Sequence, residues 1–231
     1  MTRAILQIKQ RQNSFGSLET VPVFVAGSPA NFVSLDYHQG RLFFIPFSPL
    51  MGYPIRDQQG LYFLTFTTVG WVDIFTRPHY KDIIIDSLRY CQAHKGLELF
   101  AYCLMTNHLH LIARAADGHE LSNIVRDFKK FTAHQLFKEV ANSPTESRRN
   151  WIRWLLTQEG QRNPSNQNFQ LWQQRSHGVE LRNEEMTRQR LAYTHANPVR
   201  AGICFREEDY VYSSASFYAG LEAVLPVSLL F

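Results

Sequence analysis

Hydrophobic and polar positions fall into regular patterns from Met51 onward. The stretch "LYFLTFTTV" (61–69) is rich in aromatic and β-branched residues, which predicts a central strand. A second strand is predicted in "LELFAYCLM" (97–105) and a third in "HLHLIARA" (108–115), with "TN" between them as a tight turn.

Two long amphipathic helices are predicted around these strands. In "HYKDIIIDSLRYCQAHKG" (79–96), apolar residues recur at helical spacing and the final glycine is a suitable stop. In 119–142, the expected buried stripe consists of Leu121, Ile124, Val125, Phe128, Thr132 and Leu136. The order strand, helix, strand, strand, helix predicts an α+β sandwich, in which helices pack on one face of an antiparallel sheet.

The chain beyond residue 142 is polar and irregular before a last helix. A short helix is expected around "RRNWIRWLLTQ" (148–158). The last helix is expected in "NEEMTRQRLAYTHANPVRAG" (183–202), with Asn183 as its cap. Pro198 is expected to end it, because the residue before a proline disfavours helical backbone angles.

Residues 1–50 show no sustained helical or strand period. Glycine, proline, serine and asparagine interrupt every short apolar run. We therefore expect a loosely ordered N-terminal extension over 1–50, which could be an over-translation upstream of a natural start at Met51, and one domain over 51–231. An ordered N-terminal strand or two is the alternative.

The composition is that of a globular protein in a reducing compartment. The 231 residues are 45% hydrophobic and 13% aromatic, which fits a folded core. The net charge of +4 is compatible with a nucleic-acid partner but does not identify one. The three cysteines form no CxxC pair, and neither a signal peptide nor an apolar run of membrane-spanning length is present. A cytoplasmic protein without a membrane partner is expected.

The motif "HLH" (108–110) places two imidazoles on one face of a predicted strand. Because strand side chains alternate with period two, His108, His110 and Ile112 share a face. Two adjacent imidazoles are well placed to bind one metal ion. Two hydrogen-bonded polar residues on a half-exposed sheet face are the alternative.

Tyr193 and Asn197 lie four residues apart in the last predicted helix and therefore project from the same side of it. Tyr193 offers a phenolic nucleophile, and the amide oxygen of Asn197 is a suitable ligand for Mg²⁺ or Mn²⁺. Together with His108 and His110, Asn197 would complete three protein ligands and leave positions for a phosphate oxygen. The alternative is that Tyr193 is a half-buried helix aromatic and that Asn197 is a cap or turn residue before the proline.

This combination suits phosphoryl transfer. A phenol has a pKa of about 10 and is a poor nucleophile at neutral pH, so a divalent ion that polarises the phosphate would assist its attack. Attack by tyrosine would leave a covalent phosphotyrosine, which retains the bond for a later joining step.

Five stretches in order carry a resemblance to a known family: "MTNHLHLI", "LSNIVRDFKKFT", "FQLWQQ", "YTHANPVRAGI" and "DYVYSSASFYAG". They resemble the single-tyrosine transposases of the HUH endonuclease superfamily, and in particular the REP-associated tyrosine transposases of bacteria. The resemblance extends from about Asp57 to Leu225. "NHLHLI" is similar to the family's His-hydrophobe-His strand, and "YTHANPV" to the helix that carries its nucleophile.

The resemblance implies an RRM-like or ferredoxin-like fold and cleavage of single-stranded DNA, often beside a hairpin, to give a 5′-phosphotyrosyl link and a free 3′-hydroxyl. It implies that Tyr193 is the nucleophile and that His108 and His110 bind the metal, with Asn197 a less certain third ligand. Such a protein would act on mobile or dispersed palindromic elements, associated with the bacterial nucleoid. Some relatives form a homodimer that shares the tyrosine helix, and others act as monomers.

A basic stripe on the second long helix is a candidate DNA-binding surface. Arg126, Lys130, His134 and Lys138 recur every four residues, and Lys129 is adjacent. The residues we expect to contact a DNA backbone are Arg126, Lys129, Lys130 and His134. A solvated helix face is the alternative.

Other aromatic residues are weaker candidates. Tyr210, Tyr212 and Tyr218 are rival nucleophiles, but none is followed one helical turn later by a ligand-type residue. The tryptophans at 151, 154 and 172 could stack on bases or pack in the core.

Three functions remain open on the sequence alone. The first is a DNA-nicking and strand-transferring transposase. The second is a hairpin-DNA-binding protein that has lost the reaction, and the third is a metal-dependent phosphodiesterase that uses water and does not need Tyr193.

Overall fold

A computed structural model of the chain describes residues 55–163, 168–174 and 177–231, together with four two-residue strands near the N-terminus. The chain divides into two compact units, Met1–Pro49 and Leu50–Phe231. In the first unit, β1 (Arg11–Gln12) pairs with β2 (Leu18–Glu19), and β3 (Ser34–Leu35) pairs with β4 (Leu42–Phe43). The loosely ordered extension expected over 1–50 otherwise lies outside the described residues.

The second unit contains the regular elements that the sequence pattern predicts, together with a fourth strand at 177–180 and a short helix at 215–218 that it did not predict. They are β5 (Tyr62–Thr67), α1 (Pro78–His94), β6 (Leu97–Leu104), β7 (His108–Ala115), α2 (Leu121–Asn142), α3 (Arg149–Gln161), β8 (His177–Glu180), α4 (Glu184–Arg200) and the short α5 (Ala215–Tyr218). The four strands form one antiparallel sheet in the order β6-β7-β5-β8. β7 is therefore an interior strand, paired on both sides. This confirms the predicted α+β class.

One face of the sheet is covered by α1 and α2. Leu64 and Phe66 of β5 and Leu109 and Leu111 of β7 lie in the main core with the buried faces of both helices. In α2 the predicted stripe is buried, apart from Val125, which is partly exposed. Burial of this apolar stripe against the sheet orients α2 and leaves its basic side in solvent.

The opposite face of the sheet is covered by α4. Phe63, Ala101 and Ile112 on that face form a second apolar cluster, against which Leu191 and Tyr193 of α4 pack. The expectation of helices on one face therefore holds for α1 and α2 but must be corrected for α4. The physical reason is that Phe63 and Ile112 make this face apolar too, so it also requires a cover.

The predicted start of α4 is correct, but the helix continues beyond its predicted end. Asn183 caps it as predicted, since its side-chain oxygen accepts a hydrogen bond from the Met186 backbone N–H at 2.8 Å. Pro198 does not end the helix, which continues to Arg200. A proline this close to the C-terminus sacrifices one helical hydrogen bond, and the following turn is closed by the Ala201 N–H, which donates to the Asn197 carbonyl at 2.9 Å.

Candidate functional site

The two histidines lie at the start of β7, on the face covered by α4. His108 is opposite Thr67 of β5, and His110 is opposite Thr65. Their rings meet edge to face with centroids 4.8 Å apart. The strand alternation that predicted a shared face is thus confirmed.

His110 is buried with one nitrogen bonded and the other unpaired. Its Nδ1 lies 2.9 Å from the Thr65 hydroxyl, and its ring stacks on Phe63. Its Nε2 is buried and has no hydrogen-bond partner among the described residues. A buried polar atom without a partner is costly, so this atom is suited to a ligand that is not a protein group.

The tautomer of His108 follows from its neighbour. The Asn107 side-chain NH₂ donates to the Trp71 carbonyl oxygen at 3.3 Å, which assigns the other end of the amide as Oδ1. That Oδ1 lies 2.7 Å from His108 Nδ1, so Nδ1 must be the donor. The lone pair of His108 is consequently on Nε2, where a metal ligand requires it.

Both imidazoles are held in the neutral form. Burial lowers the pKa of His108 to about 4. Burial, followed by the charges of His108 and Arg190, holds the pKa of His110 well below its usual value. Neutral imidazoles with bonded Nδ1 atoms have the donor chemistry of metal ligands, so these two residues fit a divalent ion.

Tyr193 reaches the same place from α4. Its ring lies edge to face with His110, with centroids 5.4 Å apart, and edge to face with Phe63 at 5.9 Å. The guanidinium of Arg200 lies 5.4 Å from the Tyr193 ring centroid. The structure therefore brings the predicted nucleophile and a predicted metal-binding histidine into contact within one chain.

Asn197 is on the same side of α4, but its recorded bond is to its own helix. Its NH₂ group donates to the Tyr193 carbonyl oxygen at 2.7 Å. Its Oδ1 takes no part in that bond. Within the described part of the chain, no three His, Cys, Asp or Glu side chains are grouped to hold a metal ion. A third protein ligand among these residues would thus be of another type, such as this amide oxygen.

A comparison with known protein families covers the strand that carries the two histidines. Residues 61–155, which include the histidine strand, match the family described as "Transposase IS200 like". This segment, which is less than half of the chain, is therefore similar to IS200-like transposases. The match does not extend to α4 and Tyr193.

The solved structures add a fold comparison. The structure of a REP-associated tyrosine transposase bound to a REP hairpin is 18% identical, covers 80% of this chain and 93% of that chain, and has a TM-score of 0.52. This likeness agrees with the predicted fold. A crystal structure of a protein from Deinococcus radiodurans R1, assigned as a transposase, is 21% identical, covers 58% of this chain and 86% of that chain, and has a TM-score of 0.37. No curated protein gives a significant match.

Four side chains near this candidate site were not singled out from the sequence. Thr65 and Asn107 bind the histidine Nδ1 atoms, and Arg200 lies over Tyr193. The guanidinium of Arg190 lies 5.2 Å from the centroid of the Phe63 ring, which itself stacks on His110. Alternation along β5 would have placed Thr65 on the histidine face, whereas the arginines required the placement of α4.

The expected DNA-binding residues of α2 differ in their exposure. Arg126, Lys130 and His134 are exposed, and the last two line an open cleft of about 360 Å³ beside Phe169. Lys129 instead donates to the Gln173 carbonyl oxygen at 2.9 Å, and burial lowers its pKa to about 8. The exposed residues are therefore the better placed to meet a phosphate backbone.

The rival tyrosines are engaged in structural hydrogen bonds. The hydroxyls of Tyr210 and Tyr218 donate to the carbonyl oxygens of Leu104 and Phe100, and Tyr212 donates to Asp82. Burial also raises the pKa of Tyr210. Their positions favour Tyr193 as the reactive phenol.

The tryptophans considered for base stacking divide into two kinds. Trp172 is 4% exposed and its indole N–H donates to the Thr132 hydroxyl, so it is a core residue. Trp151 and Trp154 on α3 are exposed. None of the helices in the described ranges is both long and apolar enough to cross a membrane.

Proposed function

We propose that this chain nicks single-stranded DNA beside a hairpin, becomes joined to the 5′ end through Tyr193, and transfers that strand to a 3′-hydroxyl. The observation that carries the proposal is the contact between the Tyr193 ring and His110, whose buried Nε2 has no partner among the described residues. Metal-assisted phosphoryl transfer needs a nucleophile beside an atom that can bind a metal ion, and Tyr193 and His110 Nε2 provide these two groups.

The hairpin substrate is inferred from likeness. The family of residues 61–155 is that of transposases, and the solved relative with a TM-score of 0.52 is bound to a REP hairpin. We infer that this chain also takes a hairpin with a single-stranded flank. The exposed basic side of α2 provides a surface of the right charge.

The cleavage step is a substitution at phosphorus. The Tyr193 Oη forms a bond to the phosphorus atom while the bond from phosphorus to the 3′ oxygen breaks. The phenol loses its proton to solvent, and the departing 3′ oxygen gains one, so no net proton is consumed. The reverse reaction with a different 3′-hydroxyl completes strand transfer and frees Tyr193.

The metal role belongs to His108 and His110, with Asn197 Oδ1 as the proposed third ligand. A bound Mg²⁺ or Mn²⁺ would polarise the scissile phosphate and offset the negative charge that develops on it. Asn107 holds His108 in the tautomer that ligation requires, and Thr65 is hydrogen-bonded to Nδ1 of His110. Arg190 and Arg200 add positive charge on the α4 side, where a phosphate would approach Tyr193.

The contact between Tyr193 and His110 is made within one chain. We therefore infer that the site is complete in a monomer, and that a homodimer is not needed for cleavage. A mixture of Tyr193→Phe and His110→Ala chains tests this inference. Active sites shared between two copies would restore nicking, and sites contained in one chain would not.

The decisive experiment replaces Tyr193 by phenylalanine. This removes a single oxygen and leaves the packing against Phe63, so folding should be unchanged while nicking and the protein–DNA adduct both disappear. Tyr212→Phe is the matched control and should still form the adduct. Peptide mapping of the wild-type adduct should place the phosphodiester on residues 191–199.

Two outcomes would replace the proposal by a rival function. Nicking by Tyr193→Phe without an adduct would indicate a phosphodiesterase that uses water. Tight hairpin binding by the wild-type chain with no cleavage in Mg²⁺ or Mn²⁺ would indicate a binding protein that has lost the reaction.

A further inference from the structure

We propose that Trp71, with Trp151 and Trp154 of α3, forms a stacking surface for the bases of a single strand next to the histidine site. The proposal rests on the single-stranded DNA substrate proposed above. It concerns the turn after β5 and the exposed side of α3, which are separate from the basic stripe of α2.

Trp71 has an unusual backbone and an unusual exposure. Its φ angle is 53°, the only positive φ recorded for a non-glycine residue in the described part of the chain, and its side chain is 59% exposed. A bulky residue in the left-handed region is strained, and such strain persists where the surroundings impose it. Trp71 therefore neither fills the core nor has a favourable backbone conformation.

The turn that carries Trp71 is held by hydrogen bonds on several sides. The Val69 N–H donates to the Leu171 carbonyl at 2.8 Å, and the Trp71 N–H donates to the Thr68 carbonyl at 3.2 Å. The Thr68 hydroxyl donates to the Val72 carbonyl at 2.9 Å. The turn therefore holds the Trp71 ring on a rigid backbone in solvent.

Trp71 is coupled to the metal-binding strand through one residue. Its carbonyl oxygen accepts from the Asn107 side chain, and the other end of that side chain binds His108 Nδ1. The Trp71 ring is thus carried by a backbone only two hydrogen bonds away from a candidate metal ligand. A strand whose phosphate reached the histidines would have its neighbouring bases close to this turn.

α3 extends the same surface. A Cβ added at Gly70 would lie 3.3 Å from the Leu155 side chain, so α3 packs directly against the turn. Trp151 precedes Leu155 by one helical turn and is 49% exposed, and Trp154, next to Leu155, is 59% exposed. Three exposed indoles therefore belong to two elements that touch.

The charge of this surface favours DNA over an apolar protein partner. Arg149 and Arg153 lie on α3, Arg153 is exposed, and the stretch 147–158 contains no acidic residue. Arg148 adds less positive charge to this surface, because its guanidinium pairs with the buried carboxylate of Glu146. Basic residues interleaved with exposed aromatic rings are the usual features of a single-strand binding surface, where bases stack and phosphates pair.

Trp71→Gly is a sharp test, because it separates binding from folding. Glycine adopts φ of 53° without strain, so the melting temperature should be unchanged or higher while the indole is lost. Affinity for a labelled oligothymidylate, measured by fluorescence anisotropy in chelator, should fall by about 5- to 150-fold, the range for one stacked base. Trp71→Phe should lose less, because it keeps an aromatic face.

The controls separate this inference from the proposed function. Tyr90→Ala removes another exposed aromatic, near the end of α1, and should leave oligothymidylate affinity unchanged. If Trp71→Gly fails to fold, Trp154→Ala on the surface of α3 must show the loss instead. Unchanged affinity in a folded Trp71→Gly chain overturns the stacking surface even if nicking by wild type is intact. Loss of affinity in that variant supports the surface even if Tyr193 proves not to form an adduct.

Discussion

At the scale of single residues, the function of the site depends on which nitrogen of each histidine is already bonded. Thr65 and Asn107 take the two Nδ1 atoms, and burial keeps both rings neutral. This leaves the two Nε2 atoms as the ring nitrogens available to a metal ion. The bonded partners are as much a part of the proposed metal site as the ligands themselves.

The two histidines should be required for metal binding and for cleavage. His108→Ala and His110→Ala should each abolish Mn²⁺ binding, measured by titration calorimetry, and abolish nicking while hairpin binding is retained. Thr65→Val keeps the shape but removes the hydroxyl, and should weaken Mn²⁺ binding by about 10- to 100-fold. Full nicking in excess chelator would contradict a metal role.

His195 should make the fold sensitive to acid. Its Nε2 lies 2.9 Å from the Ser214 hydroxyl, and burial lowers its pKa to about 4. The unfolded chain then binds more protons between about pH 6.5 and 4, so stability is fully present above pH 6.5 and falls as the pH drops through that window. The contribution of this residue is on the order of 3 kcal/mol.

This acid sensitivity can be measured by urea unfolding at several pH values. In His195→Gln, the free energy of unfolding should depend less steeply on pH between 6.5 and 4 than in wild type. His119→Gln, at an exposed position, is the matched control. Equal slopes in wild type and His195→Gln would show that His195 is not a source of the pH dependence.

At the scale of elements, two helices contribute different surfaces to the proposed DNA path. α2 buries one side against the sheet and presents basic side chains on the other. α3 presents tryptophans beside the turn after β5. α4, across the second face of the sheet, carries Tyr193, the proposed nucleophile.

The exposed residues of the α2 stripe should contribute to the salt dependence of DNA binding. The double variant Arg126→Ala/Lys130→Ala should bind hairpin and single-stranded DNA more weakly. The slope of log affinity against log salt should decrease in magnitude by about 1.4 to 1.8, for two lost phosphate contacts. Arg89→Ala/Arg114→Ala removes the same amount of positive charge elsewhere and should leave the slope unchanged. Equal slopes in the two double variants would show that the α2 stripe is a solvated helix face that does not contact DNA.

At the scale of the whole molecule, the chain divides at Pro49 and Leu50 into two units, and the described site residues all lie in the second. The family match and the proposed catalytic residues also fall there.

A chain that starts at Met51 should therefore fold and act like the full chain. Its thermal unfolding should remain a single cooperative transition at a similar midpoint, and its nicking rate should be unchanged. A large fall in melting temperature would show that residues 1–50 stabilise the domain.

The sequence by itself determined the features that depend on local periodicity. β5, β7 and the buried stripe of α2 follow from side-chain alternation and helical spacing, and so does the shared face of His108 and His110. The capping role of Asn183 is equally local, because it involves a residue three positions away. The motifs "NHLHLI" and "YTHANPV" suggested the chemical roles that we propose.

The tertiary structure alone decided which distant groups meet. The position of α4 on the second sheet face, and hence the contact of Tyr193 with His110, depends on packing between segments more than 80 residues apart in the chain. The burial of Trp172 and the partial burial of Lys129, in contrast to the exposure of Trp154 and Lys130, cannot be read from residue type. The tautomer of His108 likewise depends on a carbonyl oxygen at Trp71, because a hydrogen bond across the fold leaves no periodic trace in the sequence.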